Sequence, residues 1–263
     1  MFADLHTHLL PAVDDGSPDV ATSVAWISEL AAQGVSEIAV TPHIHWYFDA
    51  VLAPPEHSAH VASRGWGQGG ADPTAFVPSG FAALAQAVRD ANVPVKLHQG
   101  GELHPSVAER QSAEALATIA LGPEGKQFVL LEVDLFSDFD ERWSQAAAYV
   151  RSMGYDVLVG HPERAGNMHT SEAQARLRDE IAGGVRVQVN VGSLLFDGSQ
   201  HQRLGLELIH DGLVTCVASD VHPPSRPQMI SQLLEAGGRL GLSDTDVRRL
   251  IGDGPISLLH NGF

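Results

Sequence analysis

Phe2-Ala3-Asp4-Leu5-His6-Thr7-His8 opens the chain with a short apolar run ending in two histidines one residue apart. Side chains two apart on an extended strand leave on the same face, so His6 and His8 project together from the end of a first strand. The pattern repeats outward from there. Runs at 37–40, 95–98, 128–132, 157–160, 185–189 and 214–218 are brief, rich in Val, Ile or Leu, and bounded by Gly, Pro or Asp, like the first at 2–5. Buried parallel strands have this character. Amphipathic segments lie between them, at 19–33, 81–91, 106–116, 140–152, 171–182 and 202–210, with two more at 229–240 and 244–251. Ser17-Pro18 reads as a helix start, a hydroxyl cap followed by proline in the first turn, and Gly34 as its stop. Seven alternations without a break in composition predict an α/β fold in a single domain over residues 1–263, a distorted (β/α)7 barrel one strand short of the usual eight. Residues 53–79 fit neither period. They hold His57, His60, Arg64 and a glycine-rich run, and read as an insertion beside the site, a flap.

Composition narrows the function. The 263 residues carry 32 Asp plus Glu against 16 Lys plus Arg, a formal net charge of −16, with 14 histidines and one cysteine. A surface this acidic repels nucleic-acid phosphates and anionic lipid headgroups. A lone cysteine forms no internal disulfide or thiolate metal cluster, which fits a reducing cytoplasm. Neither an N-terminal signal nor a membrane-length apolar run is visible. The expectation is a cytoplasmic globular protein, acidic and yet rich in histidine.

Histidines and carboxylates fall where the strands end. Asp14-Asp15-Gly16 follows the first strand and Thr41-Pro42-His43 the second. Gly100-Gly101-Glu102 follows the third, Glu132 ends the fourth, and Gly160-His161-Pro162-Glu163-Arg164 follows the fifth. Ser219-Asp220-Val221-His222 follows the seventh. The C-terminal ends of barrel strands are where such folds carry their active sites. Each element alone is weak evidence; six in register are not. Unpaired buried carboxylates would cost several kcal/mol each, and cations remove that difficulty. Five histidines (His6, His8, His43, His161, His222) and four carboxylates (Asp15, Glu102, Glu132, Asp220) without a thiolate suit Mn²⁺, Fe or Zn²⁺ better than Mg²⁺ or Ca²⁺. Nine ligands exceed one ion's shell and suit two or three ions sharing a carboxylate.

These motifs, together with Asn190-Val191-Gly192-Ser193 and Arg226-Pro227, resemble the polymerase and histidinol phosphatase superfamily over about residues 3–227. Within it the chain is most similar to the manganese-dependent protein tyrosine phosphatases of bacterial capsule and exopolysaccharide operons, the CpsB/YwqE type. The resemblance implies a seven-stranded barrel with three metals. One ion would take His6, His8, Glu102 and Asp220, a second Asp15, His43 and His222, and a third Glu132 and His161 with Glu102 bridging. Asp15 aligns as the ligand, leaving Asp14 a supporting role. The implied reaction is hydrolysis of phosphotyrosine in a protein, a tyrosine kinase of polysaccharide export being the expected partner. A hydroxide held between ions is the nucleophile, since coordination lowers the pKa of water to about 7. Arg164 and Arg226 would hold the phosphoryl oxygens, their planar forks matching phosphate; the alternative for each is a surface ion pair. No residue is marked as general acid. A small phosphomonoester such as histidinol phosphate is the alternative substrate, an amidohydrolase the more distant alternative, and self-association is left open.

Other signals carry less. Cys216 lacks the Cys-x5-Arg loop of cysteine phosphatases, since position 222 is His, and reads as a buried hydrophobe. His45, with Trp46 and Tyr47, is expected near the pocket mouth, His98 in barrel packing, and His104 in support of the ligands. His57, His60, His169, His201, His210 and His260 read as surface histidines.

Overall fold

In a computed structural model of the chain, the described residues are 1–45, 74–133, 138–223, 226–227 and 229–263. The strands are β1 (Phe2–Asp4), β2 (Val35–Val40), β3 (His43–Ile44), β4 (Lys96–Gln99), β5 (Glu102–Leu103), β6 (Phe128–Leu131), β7 (Asp156–Gly160), β8 (Arg186–Asn190) and β9 (Cys216–Ala218). All pairings between them are parallel, in the orders β1-β2-β4 and β3-β5-β6-β7-β8-β9. β2 with β3, and β4 with β5, each form one interrupted strand position. Pairing crosses the interruption through Gly100 N–H to Val40 O (3.1 Å) and Glu102 N–H to Pro42 O (2.9 Å). The breaks have local causes: Pro42 has no N–H for a ladder, and Gly101 packs so closely that a Cβ would meet the Ile119 and Ile44 side chains at 2.8 Å.

Seven strand positions result among the described residues, as expected. The chain beyond β1 then meets the chain beyond β9. Asp220 N–H donates to His6 O (2.9 Å), His8 N–H to Val221 O (3.0 Å), and Thr41 N–H to Thr7 O (2.9 Å). The ladder thus returns to its start at the end that carries the histidines.

Helices fill the connections: α1 (Val20–Ala32), α2 (Val77–Asp90), α3 (Pro105–Ala108), α4 (Ala113–Ile119), α5 (Glu141–Ser152), α6 (Ser171–Ala182), α7 (Val191–Leu195), α8 (Gln200–His210), α9 (Gln232–Ala236), α10 (Asp244–Arg248) and α11 (Gly254–Asn261). Several differ from the sequence reading. The cap of α1 is Asp19, whose carboxylate accepts from Thr22 N–H at 2.7 Å, while Ser17 Oγ bonds to Asp19 O instead. Gly34 does stop that helix, at φ +91°. The expected helix at 106–116 divides into α3 and α4, and α2 begins at Val77, inside the stretch assigned to the insertion. The rest of that insertion, residues 53–73, lies outside the described residues. α7 and α11 are additions, the first only five residues long and the second opening on Gly254-Pro255.

Alternation along the strands divides the core. Val129, Leu131, Val157, Val159, Val187 and Val189 belong to the larger apolar cluster with the helices. Phe128, Leu130, Leu158 and Cys216 form a second cluster with Ala3 and Leu5, closed by Leu258 and Leu259 of α11. Cys216 is wholly buried there and burial raises its thiol pKa well above the ordinary value. Glu132, two residues beyond Leu130, continues the face that Phe128 and Leu130 present. A carboxylate is thereby delivered to the end of a strand whose other side chains are apolar.

Candidate metal centre

The register brings the polar side chains together. His43 is the direct partner of Glu102 across β3 and β5, and Glu102 that of Leu130 across β5 and β6. Gly16 closes the loop after β1 against His8: a Cβ there would overlap the His8 carbonyl oxygen and lie 2.5 Å from the His8 Cβ. His161 and Asp220 both sit in the left-handed region, at φ +37° and +52°. Such backbone costs about 1–3 kcal/mol at a non-glycine residue and persists where surrounding structure enforces it.

Three imidazoles are held from behind. His6 Nδ1 meets Gln188 Oε1 (3.1 Å), His8 Nδ1 meets Asp14 Oδ2 (2.8 Å), and His222 Nδ1 meets the Asp220 carbonyl (2.8 Å). Each partner is an acceptor, so each Nδ1 donates to it and each Nε2 is turned to the interior. There His6 Nε2 and His8 Nε2 are 3.1 Å apart. The first lies 3.2 Å from Glu102 Oε1, and the second 3.3 Å from Glu102 Oε2 and 3.2 Å from Asp220 Oδ1. Acceptors crowded at such distances repel unless a proton or a cation lies among them. Ligands about 2.1 Å from one ion stand roughly 3 Å from each other, which is the spacing here.

Two further groups adjoin. His8, Asp15, His43 and His222 converge, with Asp15 Oδ1 3.1 Å from His222 Nε2 and 3.4 Å from His43 Nε2. His43, Glu102 and Glu132 form the third, where His43 Nδ1 is 2.9 Å from Glu102 Oε2 and 3.8 Å from Glu132 Oε2. Although close, His43 Nδ1 and Glu102 Oε2 make no hydrogen bond. They aim at common space rather than at each other, as co-ligands do. All nine expected ligands therefore meet in one cluster. Glu132 groups with His43 and Glu102, while His161 Nε2 sits on Glu102 Oε1 at 3.0 Å.

Electrostatics fit the same picture. Burial resists ionisation of Glu102 and Asp15, but the imidazoles against them (His6 and His43; His222 and His43) hold both carboxyls below the usual range. Burial, then the charge of His8, pushes His222 down to about 4, leaving it neutral and able to coordinate at neutral pH. Burial lowers His161 likewise. His8 and His43 go the other way. Burial favours their neutral forms, but Asp14 and Asp220 around His8, and Glu102 and Glu132 around His43, raise both.

Asp220 joins this cluster to the arginines. Its Oδ1 faces His6 and His8, whereas its Oδ2 accepts from Arg164 Nη1 (2.7 Å), Arg226 Nη1 (3.0 Å) and Asn190 Nδ2 (2.8 Å). Arg226 also approaches Asp15 Oδ2 (3.8 Å) and, through Nη2, His222 Nε2. Asp14, expected to support rather than to ligate, also accepts from His43 N–H at 3.1 Å. Gln188, Asn190 and the wholly buried Glu163, which accepts from Asn190 N–H at 3.0 Å, are functional neighbours the sequence reading gave no role. A signal existed for two of them: Gln188 and Asn190 are polar residues two apart in the apolar run Val185–Val191. The His45 and His104 rings pack edge to face, centroids 4.0 Å apart. Trp46 and Tyr47 lie outside the described residues. His98, read as a packing histidine, and His260, read as a surface one and exposed, both bond Glu37, each at 2.7 Å.

A parallel α/β barrel with histidines and carboxylates gathered where its strands end defines a class of metal-binding barrel. Within that class, a family model for capsular polysaccharide synthesis, CpsB/CapC, matches residues 2–61 and 72–239, and the chain belongs to this family. The gap in that match, 62–71, falls within the stretch read as an insertion. The chain is 27% identical over 227 residues to the tyrosine-protein phosphatase YwqE of Bacillus subtilis, covering 83% of this chain and 76% of the relative. It is 24% identical to the putative tyrosine-protein phosphatase CapC of Staphylococcus aureus, covering 88% and 81%. In fold it is similar to solved structures of YwqE from Bacillus subtilis and CpsB from Streptococcus pneumoniae, described as metal-dependent tyrosine phosphatases. The TM-score is 0.74 at 23% identity, over 98% of this chain and 93% of the other. A phosphotriesterase homology protein from Escherichia coli is also similar in fold, at a TM-score of 0.53 and 16% identity, over 97% of each chain.

Proposed function

We propose that the chain is a metal-dependent phosphatase that hydrolyses phosphotyrosine in a protein, a kinase of polysaccharide export being the partner class. The observation that carries this reading is Asp220, which faces imidazoles with one oxygen and two guanidiniums with the other. His6, His8, Asp15, His43, Glu102, Glu132, His161, Asp220 and His222 are the ligands. Two to three divalent ions bound there, manganese by our assignment with iron or zinc as competitors, would lower the pKa of water and supply charge for the phosphoryl oxygens. Arg164 and Arg226 bind those oxygens as charge-assisted donors. Asp14 and Gln188 fix the tautomers of His8 and His6, so the rings stay aimed as ligands. Membership in a capsule-synthesis family and the names of the two relatives support the substrate class.

The test is a metal analysis of the purified protein combined with hydrolysis of a phosphotyrosine peptide, histidinol phosphate and p-nitrophenyl phosphate, with and without chelator. The reading expects chelator-sensitive activity, restored by Mn²⁺ and highest on the peptide. Activity that survives chelation overturns the mechanism, and preference for histidinol phosphate overturns the substrate alone.

A further inference from the structure

Beside the cluster, on the guanidinium side of Asp220, lies a cavity of about 190 Å³ lined by Arg164, Asn190, Phe196, His201, Asp220 and Arg226, among others. Its floor is charged and its rim is not. Phe196 is 73% exposed, the one aromatic among the large apolar side chains left exposed in the described residues. It caps the C-terminus of α7, whose N-cap is Asn190, and the Asn190 side-chain amide is bonded to Asp220. Five helical residues span roughly 7–8 Å, so a short rigid element ties the phenyl ring to the arginine-bearing floor. Burial and the charge of Arg164 lower the pKa of His201, so the second ring on this wall is neutral at neutral pH.

From this juxtaposition we infer that the cavity is a leaving-group subsite for the aromatic ring of an aryl phosphate ester, with Phe196 as its specificity-determining residue. The inference deepens the phosphatase reading and rests on it. An aryl phosphate joins a dianion and a ring through one ester oxygen, matching a site where guanidiniums and a phenyl face share one cavity. Its volume lies below the roughly 300–1,000 Å³ of sites for larger ligands, which suits one ring rather than a nucleotide. Stacking against Phe196 rewards an aryl group beyond the area it buries, and an alkyl phosphate gains nothing from it.

Calorimetric titration of the metal-loaded protein with phenylphosphonate, methylphosphonate and inorganic phosphate tests this without turnover. Wild type should bind phenylphosphonate about ten-fold more tightly than methylphosphonate. Phe196→Ala should remove that margin while leaving methylphosphonate and phosphate affinity unchanged, and Phe196→Trp should restore it. Unchanged thermal midpoints would establish that both variants fold. A wild type indifferent to the phenyl group, or a Phe196→Ala variant weakened equally for all three, overturns the subsite and spares the phosphatase reading. A wild type that binds none of the three overturns both.

Discussion

At the residue scale, the candidate centre depends on side chains that touch no metal position. Asp14 and Gln188 sit behind His8 and His6 and decide which nitrogen faces inward. Removing such a partner costs about 10–100-fold in metal affinity. Asp14→Ala and Gln188→Met should each show that loss in a metal titration of protein that is otherwise folded; native affinity in both would mean the rings are aimed by something else. The nine clustered side chains were legible in the sequence because imidazoles and carboxylates recurred at strand ends. The supporting amides were marked more weakly, Gln188 and Asn190 standing out only as uncharged polar residues in an apolar run. The approach of Glu132 to His43, at 3.8 Å, was out of reach. Strand order places residues near one another, but side-chain direction sets which two face each other.

At the element scale, the interruptions of two strand positions shape the site. Gly100-Gly101 lets the chain pass β3 closely before Glu102 enters the cluster, and side chains stand 2.8 Å from a Cβ placed at Gly101. Gly101→Ala should destabilise by about 1–3 kcal/mol through overpacking, read as a thermal midpoint lower by several degrees. Gly238→Ala, which faces open space, should leave the midpoint nearly unchanged. Equal shifts would show that close packing is not what Gly101 provides. Strands such as β6 and β9 were easy to read because each is a continuous buried apolar run. Short helices were harder: α7 spans five residues, too few for a periodic signal, and it carries the exposed Phe196. The start of α1 shifted because an aspartate two residues past Ser17 caps it as well as the serine could.

For the whole molecule, cations and protons should both register in stability. Where acceptors crowd without a cation, ligation favours the folded state; a hundred-fold excess over Kd adds about 2.7 kcal/mol for one ion. In a chain of this size that is roughly a 5–10 °C rise in midpoint, to be checked by calorimetric scans with Mn²⁺ and with chelator. An unmoved midpoint would argue against a built metal centre. Acid acts elsewhere as well. Glu37, on β2, holds His98 of β4 and His260 of α11; burial opposes its ionisation, but those two imidazoles leave its carboxyl below the ordinary value. A depressed carboxyl contributes stability above its unfolded pKa and loses it as pH falls through the folded one. Glu37→Gln should therefore lower the midpoint at neutral pH and match wild type once pH falls below the lowered pKa of the folded carboxyl; a pH-independent difference would assign the effect to packing. Finally, the sole sulfhydryl of the chain is sealed in β9 with its ionisation suppressed. Alkylating agents and peroxide, which silence catalysts built on a reactive thiolate, have no such target here. Iodoacetamide should leave turnover intact in the same preparation that chelator stops. Chemistry of this kind would keep running under oxidant exposure that disables cysteine-based enzymes of the same specificity.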